Sequence, residues 1–175
     1  MLTPFTNGGL VKLANFFVLV FGLLISSYSF ALNNGIVYEL GGGAGYILQA
    51  DKIHFKALGK IYHDGDHDYN DTVSLRLAVG VDVAEFDQLK LYVGGGLWND
   101  FVSADHKLYE TRYDALVGLR QVVASHWQFE IFVNAISLAS GQTVNTTVDG
   151  VEYTRKGASG LYLTSSGAVS VAYLF

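Results

Sequence analysis

The chain has 175 residues, a formal net charge of −5 at neutral pH and no cysteine, and half of its residues are hydrophobic. The acidic balance argues against a nucleic-acid partner, which favours a basic face. The absence of cysteine excludes both a disulfide framework and a lipid-modified amino-terminal Cys.

Residues 1–31 read as a secretory signal peptide. Lys12 is the one charge there, an apolar run covers residues 13–25, and Ser29-Phe30-Ala31 offers small residues for cleavage. The alternative is a membrane anchor, but the run is shorter than the ~18 residues a spanning helix needs. Cleavage leaves residues 32–175 as a single domain, with sixteen acids against ten bases once Lys12 has gone. No segment of that domain is a long apolar run, so a helical membrane protein is not expected. The chain's one proline, Pro4, lies in the expected signal, and strands without proline suit a sheet.

Along the mature chain, residues 36–48 are glycine-rich (Gly41, Gly42, Gly43, Gly45), as in a kinked strand near a closure point. Residues 53–62 place His54, Lys56 and Lys60 on one face. Residues 73–83 alternate most regularly: Val73, Leu75, Leu77, Val79, Val81 and Val83 oppose Ser74, Arg76, Ala78, Gly80 and Asp82. Residues 89–98 put Lys90, Tyr92, Gly94 and Gly96 on one side. In residues 111–123, Tyr113, Ala115, Val117 and Leu119 oppose Arg112, Asp114, Gly118 and Arg120. In residues 127–133, Trp127, Phe129, Ile131 and Val133 oppose Gln128 and Glu130.

The last fifteen residues end on an aromatic carboxy-terminus. Phe175, Tyr173, Val171, Val169 and Gly167 share one face; Leu174, Ala172, Ser170, Ala168 and Ser166 share the other. Such a strand suits a wall between lipid and a packed lumen. It resembles the terminal strand of bacterial outer-membrane proteins, which typically end in Phe. That resemblance implies that Tyr173 and Phe175 serve as the signal read by the barrel-assembly machinery.

Short connections (49–52, 85–88, 124–126) alternate with long polar ones (63–71, 99–106, 140–159), as periplasmic turns alternate with outer loops. Asp149-Gly150 in the last of these could turn a hairpin. The fold class expected is therefore all-β: an antiparallel up-and-down transmembrane β-barrel of eight strands in a bacterial outer membrane. Seven strands are visible. The eighth comes either from residues 32–40 as a short first strand or from division of a longer segment, because single-chain bacterial barrels have even strand numbers. A soluble lipocalin-like barrel is the alternative, with the apolar face inside.

The order of elements is also similar to that of YfaZ-like outer-membrane proteins. The residues behind this are the acidic loop His63-Asp64-Gly65-Asp66-His67-Asp68, the valine-rich strand after it and the Gly94-Gly95-Gly96 strand. The mature chain is a strand pair short of that family. The resemblance implies location and architecture rather than an activity.

Two groups of residues could carry chemistry. By alternation, Glu39, Lys56, Lys60, Arg76, Asp82, Lys90, Arg112, Asp114, Arg120 and Glu130 face the lumen, with His54 beside them: six bases against four acids. An eight-stranded barrel is just wide enough for side chains to fill it. These charges then form either a salt-bridged plug or a cation-lined passage for anionic solutes. In the acidic loop, His63, Asp64, Asp66, His67 and Asp68 could hold a divalent cation or bridge through one to lipopolysaccharide phosphates. Their spacing does not match the twelve-residue calcium loop, and a solvated acidic loop is the plain alternative. No cofactor is expected beyond that cation.

Catalysis has little support. Ser125-His126 sits in an expected periplasmic turn, and Ser103, Asp105 and His106 are too close in sequence to form a relay. No His-x-Ser of the kind carried by lipid A deacylases stands near the end of a late strand. The partners expected are outer-membrane lipid, lipopolysaccharide and the assembly machinery. The aromatics near both rims, among them Trp98, Tyr109, Tyr113, Phe86 and Trp127, suit interface belts.

Overall fold

The computed structural model describes residues 32–41, 43–62, 71–102, 106–148 and 150–175. The expected signal peptide lies outside the described residues, as does the acidic loop at 63–70. Ten strands follow in order: β1 (Leu32–Glu39), β2 (Gly43–Ala50), β3 (Ile53–Tyr62), β4 (Thr72–Phe86), β5 (Leu89–Val102), β6 (Leu108–Val123), β7 (Trp127–Gly141), β8 (Thr143–Val148), β9 (Val151–Lys156) and β10 (Gly160–Leu174). Eight of them close an antiparallel up-and-down barrel in the order β1-β10-β7-β6-β5-β4-β3-β2, while β8 and β9 pair as a separate hairpin.

The eighth strand comes from residues 32–40. β1 pairs with β2 from Leu32↔Ala50 to Glu39↔Gly43, and the chain reverses at Gly41, whose φ of 77° disfavours any residue with a Cβ. Both termini of the barrel, Leu32 and Phe175, lie at the end with the short turns 51–52, 87–88 and 124–126. This is the turn end. Two of those turns use Asp in the left-handed region, Asp51 at φ 44° and Asp87 at φ 58°, a conformation Asp tolerates better than most residues. β3 and β5 end, β4 and β6 begin, and the β8–β9 hairpin is inserted at the opposite end, the loop end.

Alternation sets the two faces. On β4, Ser74, Arg76 and Ala78 are buried, whereas Leu75, Leu77, Val79, Val81 and Val83 are exposed. The same polarity runs round the circumference, with Ile36 and Tyr38 on β1, Ile61 on β3, Val93 on β5, Leu119 on β6, Ile131 on β7 and Val169 on β10 all exposed. A soluble barrel would reverse these faces. Two apolar patches line the lumen: Val37, Ile47, Leu58, Ala172 and Leu174, and Ala78, Tyr92, Leu116 and Phe132.

The strands reach further at the loop end than alternation alone suggests. Residues 99–102 continue β5, and residues 134–141 continue β7. In β7 the alternation changes phase at Ala135, because Leu116 pairs with Asn134 while Ala115 pairs with Ile136. That bulge moves the inward set from Asn134 to Ser137 and Ala139, so a strict period of two stops short there. The β8–β9 hairpin turns where Asp149-Gly150 suggests, with Val148 pairing with Val151.

Candidate functional site: the charged lumen

The lumen fills in three layers. In the middle, ions of alternating sign link four strands. Lys56 Nζ on β3 lies 2.6 Å from Glu130 Oε1 on β7 and 3.8 Å from Glu39 Oε2 on β1, and Arg76 Nη1 on β4 lies 2.5 Å from Glu39 Oε1. The Tyr92 hydroxyl crosses from β5 and donates to Glu130 Oε1. His54 meets the Tyr92 ring edge-on at 4.6 Å. The Phe132 ring takes the Lys56 ammonium at 4.6 Å and the Arg76 guanidinium at 4.8 Å.

This crossing needs two strands to yield space. A Cβ on Gly80 would stand 2.3 Å from His54 Cε1, and one on Gly118 would stand 2.5 Å from the Tyr92 hydroxyl. Both are glycines because bulky side chains of neighbouring strands occupy the volume a side chain would need. Period-two reading marks them as inward but gives no hint of which side chain lies over them.

Towards the turn end, Arg120 grips Asp82 through two parallel hydrogen bonds, the Nε one at 2.8 Å, and reaches Gln128 at 3.4 Å. Lys90 stands 3.8 Å from Asp82 and from Glu85. Towards the loop end the layer is looser and richer in hydroxyls. Ser74 donates to Asp100, which also accepts Trp98 Nε1–H at 2.6 Å, and Ser137 donates to Asp114 at 2.6 Å. Arg112 lies 3.9 Å from Glu110. Arg76 and Arg112 each lie 5.3 Å from the Trp98 ring.

Nine of the ten alternation-derived charges lie on the buried or half-buried side of the wall, and Lys60 stands at its loop-end rim, bonded to the Gly41 carbonyl. Glu39, Lys56, Arg76, Asp114, Arg120 and Glu130 are buried, whereas Lys60, Asp82, Lys90 and Arg112 are partly so. It adds two carboxylates that the sequence reading left out, Asp100 and Glu110. Both lie where the strands outrun their alternation, in stretches read as loop or as preceding a strand. Leaving Lys60 at the rim aside, five bases stand against six acids in this set, so the named charges of the described residues carry no excess of positive charge. An isolated buried ion costs several kcal/mol unless paired and hydrogen-bonded; here Arg120, Lys56 and Glu130 are paired with little exposure. Chemically, the arrangement ties β1, β3, β4 and β7 to one another across the lumen at mid-height.

At the turn end, Tyr173 stacks on His126 at 5.7 Å and meets Trp127 at 5.1 Å. The Phe175 amide donates to Asn34 O at 2.8 Å, so the last residue is tied to the first strand. His63, Asp64, Asp66, His67 and Asp68 lie outside the described residues. Among the described residues, no group of three or more His, Asp or Glu is placed to hold a metal ion. No model of a known protein family matches the chain, and no curated protein matches it in sequence.

Proposed function

We propose that this chain is an integral β-barrel of a bacterial outer membrane whose closed lumen makes it a structural and surface-interacting element rather than a pore. The observation that carries the reading is the arrangement of the wall. Aliphatic and aromatic side chains stand exposed outside and ion pairs are buried inside, as suits a surface solvated by lipid. The mid-lumen chain from Glu130 to Arg76 supports a plug over a channel.

Residues 1–31 act in this reading as a cleaved export signal. Tyr173 and Phe175 form the strand end offered to the assembly machinery. The acidic loop at 63–70 faces cations, lipopolysaccharide or a host surface. Kinship with YfaZ-like outer-membrane proteins belongs to the same proposal, and so does the absence of a catalytic role. His126 bonds to the Leu174 carbonyl and His54 packs on Tyr92, contacts that tie both rings into the wall and the lumen.

Planar-bilayer conductance tests the plug. Silence, or rare small openings, is the expected record, and large stable anion-selective steps would replace this reading with the narrow channel. Deleting residues 65–70 tests the loop: the barrel should still fold while binding of divalent cations or lipopolysaccharide falls. If every binding phenotype survives the deletion, the loop has no such role.

A further inference from the structure

The barrel wall is not of even height. β1 and β2 have eight residues each and β3 ten, against fourteen to sixteen in β4 to β7 and β10. A tilted strand needs about nine to eleven residues to cross the hydrocarbon. The whole deficit of the first hairpin falls at the loop end. β1 pairs with β10 from Gly35↔Leu174 only as far as Glu39↔Ser170, and the Leu40 amide makes the last bond, to Val169 O at 2.8 Å.

Beyond that point, residues 160–168 of β10 have β7 on one side and, among the described residues, no strand on the other. On the far side, pairing of β2 with β3 stops at Ala44↔Gly59. Lys60, Ile61 and Tyr62 therefore pair with β4 alone. The result is a notch between β10 and β3, floored by the β1–β2 turn.

Its rim is greasy and its floor is charged. Leu40, Ile61, Leu161 and Leu163 are all more than 60% exposed. The Lys60 ammonium donates to the Gly41 carbonyl on the floor and lies 3.5 Å from the Tyr62 ring centroid. Across the notch, the exposed Ser166 hydroxyl accepts from Asn134 Nδ2 at 2.6 Å, while Asn134 Oδ1 is buried with no hydrogen-bond partner among the described residues.

Strand edges facing hydrocarbon need polar partners, which a bare acyl chain does not provide. A second copy fails on geometry, because two copies oriented alike in one membrane would bring their β10 edges together running the same way and crossing at their tilts. A lipid fits both requirements. Its chains match the leucine rim, and its phosphate and ester oxygens meet Lys60, Ser166 and the free edge.

We propose that the notch seats one phosphate-bearing lipid of the surrounding leaflet, with its phosphate at Lys60. This rests on the membrane residence proposed above. In the test, the barrel is refolded in non-ionic detergent and incubated with phosphatidylglycerol, diacylglycerol or inorganic phosphate, and retained ligand is read by native mass spectrometry. The variants are Lys60→Gln, Lys60→Arg and, at the turn end, Lys52→Gln.

One phosphatidylglycerol per barrel is expected for the wild type, Lys60→Arg and Lys52→Gln. Retention should drop by about tenfold in Lys60→Gln, as for loss of one hydrogen bond to a charged group. Four outcomes would each overturn the site: equal retention in Lys60→Gln, no retention by wild type, equal retention of diacylglycerol, or binding of phosphate alone. A faster-migrating band in unboiled SDS gels checks each variant beforehand. Its absence in the wild type counts against the membrane reading, and its presence with any of those four outcomes counts against the lipid site alone.

Discussion

The buried lumen and the β8–β9 hairpin are both polar, yet they hold their polar groups in opposite ways. In the lumen, buried charges answer to partners on other strands, as Lys56 does to Glu130 at mid-height and Arg120 to Asp82 towards the turn end. In the hairpin, Thr143, Asn145, Thr147, Glu152 and Thr154 are exposed; Thr154 bonds locally to Asn145 at 3.0 Å, and Lys107 donates to the Asn145 carbonyl at 2.8 Å from an equally exposed site. A polar group therefore matters here according to where its solvation comes from. Remove one member of a buried pair and the other is stranded; remove an exposed polar residue and water takes its place.

Four substitution variants test that contrast, each read by denaturant unfolding of the refolded barrel in micelles. Arg120→Ala strands Asp82, against which Lys90 stands at 3.8 Å, and should cost about 3–5 kcal/mol. Replacing both partners, Arg120→Met with Asp82→Leu, should recover most of that loss, since two matched apolar side chains leave no ion unpaired. A double variant no more stable than Arg120→Ala would mean the pair is not the cause.

Gly80→Val comes next. Its first carbon would already stand 2.3 Å from His54 and 2.9 Å from Tyr92, and overpacking of this kind costs about 1–3 kcal/mol. Unchanged stability would show that His54 and Tyr92 do not lie across β4. Tyr92→Phe removes one hydroxyl donor from Glu130, which keeps Lys56 at 2.6 Å, so a loss of about 1 kcal/mol is expected. A neutral result would mean that bond contributes nothing.

Deleting residues 143–156 should have the smallest effect. Gly157 N already bonds to Gln142 O at 3.1 Å, so the cut ends lie together. Most of the deleted residues are exposed, Val144 and Thr146 being buried, and the change expected in the unfolding free energy is within about 1 kcal/mol. A loss as large as that of Arg120→Ala would erase the distinction between the two regions.

How far each region can be read from sequence follows the same division. β4 is legible because its six outward aliphatics alternate with Ser74, Arg76, Ala78, Gly80 and Asp82 without interruption, and period two is a property of the strand itself. β1 and β2 are less so, because one glycine-rich stretch is compatible with a kinked strand or with a hairpin turning at Gly41. The upper half of β7 is hidden by the bulge at Ala135, which changes the inward phase within one strand. Alternation also says which charges face inward but not which of them meet. Lys56 and Glu130 are 74 positions apart, and their pairing depends on barrel closure and stagger, which no local pattern contains. Asp100 and Glu110 were missed for a related reason, since they sit on strand extensions whose residues look like loop.

The plug, the surface role and the lipid site all require a closed barrel resident in lipid. The direct measurement is electrophoresis of the outer-membrane fraction in SDS with and without boiling. A faster-migrating unboiled band, converted on boiling to the mobility of the full-length unfolded chain, is what a detergent-resistant barrel predicts. Recovery of the protein in the soluble periplasmic fraction, with one mobility under both conditions, would contradict it.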